Sequence, residues 1–129
     1  MRNIIVILLL LPIMCFNIVA AGLGNHGHKN ITITNILNDG YNLTIHCKSK
    51  QFDLGTHTLK SQEGYWFLIK PNFSGTSLFF CNVRWPGQSY WFDVYKYGRD
   101  KKYGPNYSWT VGSVGTCVDN DSNYCKFWE

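Results

Sequence analysis

The chain has 129 residues, a formal charge of +4 at pH 7, 45% hydrophobic and 16% aromatic residues, and five cysteines. That balance excludes a disordered polyelectrolyte. Because the basic residues are scattered singly apart from Lys101-Lys102, no nucleic-acid-binding stripe is present and no nucleic acid is expected as a partner. The length suits one domain, small enough for covalent cross-links to matter.

Met1-Arg2 precedes an apolar run from Ile4 to Ile13, and Ala20, Ala21 and Gly22 follow. A positive end, a run short for a membrane span and small residues at Ile18-x-Ala20 or Val19-x-Ala21 make a secretory signal peptide. Residues 1–21 are therefore expected to be a leader cleaved after Ala20 or Ala21, and 22–129 one extracellular domain without membrane insertion. Cys15 would leave with the leader, so Cys47, Cys81, Cys117 and Cys125 remain, an even set that predicts two disulfides in an exported chain. Sequons at Asn30, Asn42, Asn72, Asn106 and Asn120 become candidates for N-glycosylation in that compartment. Asn72, Asn106 and Asn120 fall in turn-like sequence, whereas Asn42 is expected within a strand and less accessible.

Gly22–Lys29 has no apolar periodicity and reads as a tail, whose His26-x-His28 pair lacks further ligands at metal-binding spacing, so no metal or cofactor is expected. From Ile31 the pattern has period two: Ile31, Ile33 and Leu37 predict a strand, Asn38-Asp39-Gly40 a tight turn, and Tyr41, Leu43, Ile45 and Cys47 a second strand paired to the first as a hairpin. A polar loop over Lys48–Gly55 leads to a short strand at Thr56–Lys60. A turn at Ser61–Gly64 precedes a strand at Tyr65–Lys70, which Pro71 ends. Ser77–Trp85 sets Phe79, Cys81, Val83 and Trp85 on one face. Beyond Pro86-Gly87, Tyr90–Tyr97 is a strand with Phe92 and Val94 inward and Asp93 and Tyr95 outward. Gly98–Asn106 is the longest irregular stretch. Trp109 and Val111 mark another strand, Gly112–Gly115 a turn, and Thr116–Val118 with Tyr124–Trp128 a last hairpin about Asn120–Asn123.

No stretch of ten or more residues after the leader keeps a helical period, so the fold is expected to be all-β. The economical arrangement is a two-sheet antiparallel β-sandwich of eight or nine short strands, disulfide-stabilised. Cys47 and Cys81 both point inward, and Cys117 and Cys125 flank the last turn symmetrically; the favoured pairs are Cys47–Cys81 and Cys117–Cys125, among three connectivities that four cysteines allow.

These segments resemble the plant self-incompatibility S-protein homologue family. The resemblance runs through ITITNIL with LTIHCKSK (Ile31–Lys50), DLGTHTL (Asp53–Leu59), FFCNVRW (Phe79–Trp85), FDVYKYGRD (Phe92–Asp100) and WTVGSVG (Trp109–Gly115). The chain departs from the family in reading Gln51-Phe52-Asp53 where an acidic run is usual. It also lacks a cysteine pair often found between Arg-Asp and the Trp-x-Val strand, which supports pairing Cys47 with Cys81, since neither has lost a partner. What the resemblance implies is a secreted ligand rather than an enzyme: in poppy, a stigma protein recognised by a transmembrane protein of pollen, which triggers calcium signalling and rejection of self pollen. A cell-surface membrane protein is thus the expected partner and a monomer the expected state. Lys48, Lys50 and Asp53 of the first loop and Arg99, Asp100 and Lys101 of the last are the candidate contact residues.

Two other readings use the same residues. His46 and His57 flank the first loop and would have to converge to serve as general acid and base of a secreted hydrolase such as a ribonuclease; no Gly-x-Ser-x-Gly nucleophile motif accompanies them. Tyr90, Trp91, Tyr95, Tyr97 and Tyr103, not assigned inward or left in loops, would instead suit a lectin-like, carbohydrate-binding surface. Arg99-Asp100 is expected to pin its loop as an ion pair. Expressed in a eukaryotic secretory host with residues 1–21 in place, the protein should be recovered from the medium; N-terminal sequencing should begin at Ala21 or Gly22, and an intact Met1 would refute the leader.

Overall fold

Period-two alternation of branched and aromatic residues against small polar ones yields nine strands in the computed structural model, which describes residues 27–71, 77–119 and 121–129. The leader at 1–21, His26, Asn72 and Asn120 lie outside the described residues. The strands are β1 (Lys29–Asn35), β2 (Leu43–Lys48), β3 (Asp53–Leu59), β4 (Gly64–Ile69), β5 (Leu78–Trp85), β6 (Gln88–Lys96), β7 (Asn106–Val111), β8 (Gly115–Val118) and β9 (Asp121–Phe127). They build a five-stranded sheet in the order β4-β1-β7-β8-β9 and a four-stranded sheet in the order β3-β2-β5-β6. The all-β, two-sheet expectation holds, with one difference: β1 and β7 run parallel.

Inward positions of both sheets share one core. Ile31, Ile33, Tyr107, Trp109 and Val111 come from the first sheet, and Leu43, Ile45, Val83, Phe92 and Val94 from the second. Full burial of such a side chain stabilises by roughly 1.5–3 kcal/mol. Cys47 and Cys81, register partners on β2 and β5, are bonded inside this core; Cys117 and Cys125, register partners on β8 and β9, are bonded across the last hairpin. Gly115 starts β8 where an added Cβ would lie 2.5 Å from the Lys126 carbonyl oxygen, so the close β8–β9 approach admits no side chain there.

The expected hairpin between the first two strands does not form. β1 pairs with β4 and β7, and β2 with β3 and β5, so the segment between them crosses from one sheet to the other. Asp39 and Gly40 do take left-handed backbone (φ 62° and 69°), as the Asp-Gly pair suggests. The direction of the exit is set instead by Asn35, whose buried Nδ2 donates to the carbonyls of Tyr41 (2.9 Å) and Leu59 (3.0 Å) while its Oδ1 accepts from the Leu37 amide (2.9 Å). Those bonds fold the chain over the end of the sandwich rather than back along β1. Asn42 consequently precedes β2 and is exposed, not shielded within a strand.

Three further differences follow from local hydrogen bonding. Asp53–Gly55 belong to β3, leaving a loop of Ser49–Phe52 in place of Lys48–Gly55; Ser49 closes it, its amide donating to the Phe52 carbonyl and its Oγ accepting from the Phe52 amide. Tyr97–Asp100 forms one helical turn, α1, inside the stretch expected to be irregular. Tyr95 is fully buried rather than outward, because Phe79 pairs with Tyr95 and Phe80 with Asp93. That places a one-residue bulge at Val94, and the extra residue turns both Val94 and Tyr95 inward.

Burial, with the nearby charge of Asp100, pushes the Tyr95 hydroxyl up to about 12 from 10.0. A raised acid ionises first in the unfolded chain, so its stabilising contribution is whole below pH 10 and is lost as pH rises through about 12. Urea midpoints should therefore fall through this alkaline range, less steeply in Tyr95→Phe. At neutral pH the same substitution removes a buried hydroxyl that has no hydrogen-bond partner among the described residues, so it should raise stability by about 1 kcal/mol. Tyr107→Phe, which loses a 2.6 Å bond to the Val94 carbonyl, should cost about 1 kcal/mol.

Candidate recognition site

Strand direction brings the two candidate loops to one end of the sandwich. Lys48, at the close of β2, is in register with Phe80 near the start of β5, and Leu78 with Lys96 at the close of β6. Hence the Ser49–Phe52 loop and α1 with the following turn leave the same end of the four-stranded sheet. The first sheet contributes Lys29 at the start of β1, whose Nζ donates to the Tyr103 carbonyl at 2.6 Å, and Lys70 just after β4. Lys48, Lys50, Lys96, Arg99, Lys101 and Lys102 join them, so most of the chain's cations share this end. Asp53, Asp93, Asp100 and Asp119 lie at this end too and leave it a positive surplus, whereas at the other end Lys60 and Arg84 are outnumbered by Asp39, Glu63 and Glu129. Charge that is evenly scattered along the sequence is thus polarised in space, and a polarised surface steers charged partners.

Each candidate residue has a distinct setting here. Lys50 is exposed in the loop. The Lys48 ammonium lies 5.8 Å from the Phe80 ring centre and 5.6 Å from that of Trp91, on the outer face. Lys101 is exposed, 5.6 Å from the Tyr97 ring centre. Asp53, exposed at the start of β3, accepts from the Gly55 amide (2.9 Å) and lies 2.6 Å from His46 Nε2. The backbone bond, followed by His46, holds the Asp53 carboxyl below its ordinary value.

Arg99 and Asp100 behave as a pinning pair. Asp100 is fully buried: its Oδ1 and Oδ2 accept from Arg99 Nε (2.7 Å) and Nη2 (2.6 Å), and Oδ2 also takes the Lys96 amide (2.8 Å). Arg99 further donates to the Tyr124 hydroxyl (2.8 Å) and the Asp93 carbonyl (2.7 Å). Burial alone would pull the guanidinium down, but the Asp100 carboxylate outweighs it and pushes the group up, fixing its charge. Asp100 therefore has no surface to offer a partner. It drops out of the contact set and belongs to the mount.

The paired histidines of a hydrolase are not assembled. Ile45 opposes His57 and His46 opposes Thr56, so the two imidazoles lie on opposite faces of the β2–β3 pair. His57 stacks on Tyr65 with ring centres 4.1 Å apart. The lectin-like set also disperses: Tyr95 is in the core, Tyr90, Tyr97 and Tyr103 pack against it, and Trp91 alone of the five is half exposed. Among the described residues no cluster of three or more His, Cys, Asp or Glu could hold a metal ion, and no helix is long and apolar enough to cross a membrane. Of the sequons, Asn30 and Asn106 are register partners on the outer face of the five-stranded sheet, a juxtaposition that only the parallel β1–β7 pairing creates.

Residues 30–128 match the family model for plant self-incompatibility protein S1. The chain belongs to this family. Arabidopsis thaliana proteins named S-protein homolog 4 and S-protein homolog 5 are 38% and 37% identical to it, over 76% and 77% of this chain and 70% and 77% of their own lengths. S-protein homolog 29 of the same plant is 29% identical over 95% of the chain and 93% of its own length. The match to the S1 family model takes in both disulfides, the Asn35 crossover and the whole Val94–Tyr107–Asp100 network.

The mount is testable by stability. Asp100→Ala would take the shared carboxylate from the half-buried Arg99 guanidinium and the Lys96 amide and should cost about 2–3 kcal/mol in chemical denaturation. Lys101→Ala, on the exposed side of the same turn, should stay within about 0.5 kcal/mol.

Proposed function

We propose that this S1-family protein is a small secreted glycoprotein acting as a monomeric extracellular ligand, read by the ectodomain of a cell-surface membrane protein. No catalytic residue is assigned to it. The observation that carries the reading is the gathering of two short, internally bonded loops and most of the cations at one end of a disulfide-stapled sandwich. Loops held by Ser49 on one side and by Asp100 on the other lose little entropy when they bind, which favours recognition by shape and charge. The family's S-protein members agree with an extracellular role.

Lys50 and Lys101 are the exposed contact residues, with Lys48 and Arg99 shaping the surface beneath them. A cationic end predicts faster association at low ionic strength and weaker steering once salt shortens the Debye length below about 10 Å. Labelled protein should bind saturably to receptor-bearing plant cells, and Lys50→Glu with Lys101→Glu should weaken that binding by about tenfold or more. Unchanged binding by the double variant at a matched unfolding midpoint would put the contact surface elsewhere.

A further inference from the structure

The outer face of the five-stranded sheet changes character from strand to strand. β1 and β7 present Asn30, Thr32 and Thr34 with Asn106, Ser108 and Thr110 to it, all polar and uncharged. β4, the outermost strand on one side, presents Trp66 and Leu68, which are 62% and 60% exposed. Their neighbours Phe67 and Ile69 point into the core, so strand alternation turns these two outward. Large apolar side chains on a strand at a sheet edge invite association with another chain unless something covers them.

Strand register identifies the cover. In the antiparallel β1–β4 pair Asn30 stands opposite Leu68 and Thr32 opposite Trp66. Directly opposite side chains have Cβ atoms about 5 Å apart and diagonal ones about 7–8 Å, so Asn30 is within reach of both apolar residues. Asn30-Ile31-Thr32 is a sequon, and period-two geometry puts its asparagine and its threonine on the outer face while Ile31 enters the core. Asn30 Oδ1 has no hydrogen-bond partner among the described residues, so turning the carboxamide outward breaks no bond at its oxygen. Asn106, the other sequon of this face, lies one strand farther from β4, about 4.8 Å, with β1 between. A neutral sugar suits this uncharged ground: its C–H face packs on the indole and the aliphatic side chain while its hydroxyls stay in water.

We propose that Asn30 carries an N-linked glycan whose first N-acetylglucosamine packs over Leu68 and Trp66 and shields the β4 edge. Such a glycan requires the secretory route proposed above and adds a modification to it. In the attachment step Nδ2 of Asn30 bonds to the anomeric carbon of a lipid pyrophosphate-linked oligosaccharide, the bond from that carbon to the pyrophosphate oxygen breaks, Nδ2 gives up one proton, and the lipid pyrophosphate leaves. The transfer acts on the nascent chain before β1 pairs, so the strand position of Asn30 is no obstacle.

The test uses the full chain expressed in a eukaryotic secretory host that builds high-mannose glycans. Glycopeptide mass spectrometry of protein from the medium should find Asn30 occupied, and nuclear Overhauser contacts should join the N-acetyl methyl of the first sugar to the Trp66 ring. Trimming to a single N-acetylglucosamine should leave the unfolding temperature unchanged, whereas Asn30→Gln and Thr32→Val, which each remove the sequon, should lower it by about 4 °C. In the background of Trp66→Thr with Leu68→Thr that difference should fall below about 1 °C. Secreted protein with Asn30 bare, or with a glycan on Asn106 alone, would overturn the assignment while leaving the secretory reading intact. A loss that persists in the Trp66 and Leu68 background, or no contact to the Trp66 ring, would overturn the packing. Bare protein that elutes as a dimer, and that Trp66→Thr returns to monomer, would give the edge to a second copy instead. Failure of the chain to leave the cell would refute the secretory reading and the glycan with it.

Discussion

A single buried carboxylate holds the two sheets in their working relation. Asp100 is closed off from water and therefore has to be fully partnered, since an unpaired buried charge costs several kcal/mol. Its partners come from different elements, the Lys96 amide at the end of β6 and the Arg99 guanidinium in α1, and the Tyr107 hydroxyl of β7, whose proton goes to Val94, lies 3.3 Å from it. Arg99 carries the connection on to Tyr124 of β9. Tyr107 and Trp109 both donate to the Val94 carbonyl, at the bulge of β6. One edge of the four-stranded sheet is thereby fastened to the five-stranded sheet through bonds with fixed directions, which apolar packing alone does not supply.

That fastening explains the contrast within the Gly98–Asn106 stretch. Its first part is a helical turn held from below, and its exposed residues, Lys101 among them, project from a stiff base. The opposite loop is stiff for another reason: Ser49 closes it locally and the Cys47–Cys81 bond lies immediately beneath. Both candidate loops thus stand on cross-links, one electrostatic and one covalent, and the cations they carry are held on a stiff base.

Asn35 plays the comparable part at the far end. A fully buried asparagine at an inward strand position would be costly without partners, and its three bonds tie the β1–β2 crossing to the end of β3. In the sequence its signal was the polar residue that ends the inward series Ile31, Ile33, Asn35. The Asp-Gly pair that follows describes the local backbone correctly but says nothing of which strand comes next to which, because the same left-handed turn serves a hairpin and a crossing alike.

Local chemistry determined much about this protein from sequence alone. Period-two alternation located the strands and most inward residues, inward and symmetric cysteines indicated the pairs found, and the spread of short motifs indicated the family. These signals depend on neighbours along the chain, where side-chain direction follows from backbone geometry. Only the tertiary structure decided the rest: the crossing at Asn35, the parallel β1–β7 pair, the bulge that buries Tyr95, the withdrawal of Asp100 from the surface, and the collection of scattered lysines at one end. Each depends on hydrogen bonds or charges between residues far apart in the chain, and no local pattern encodes which distant partner will satisfy a buried polar group.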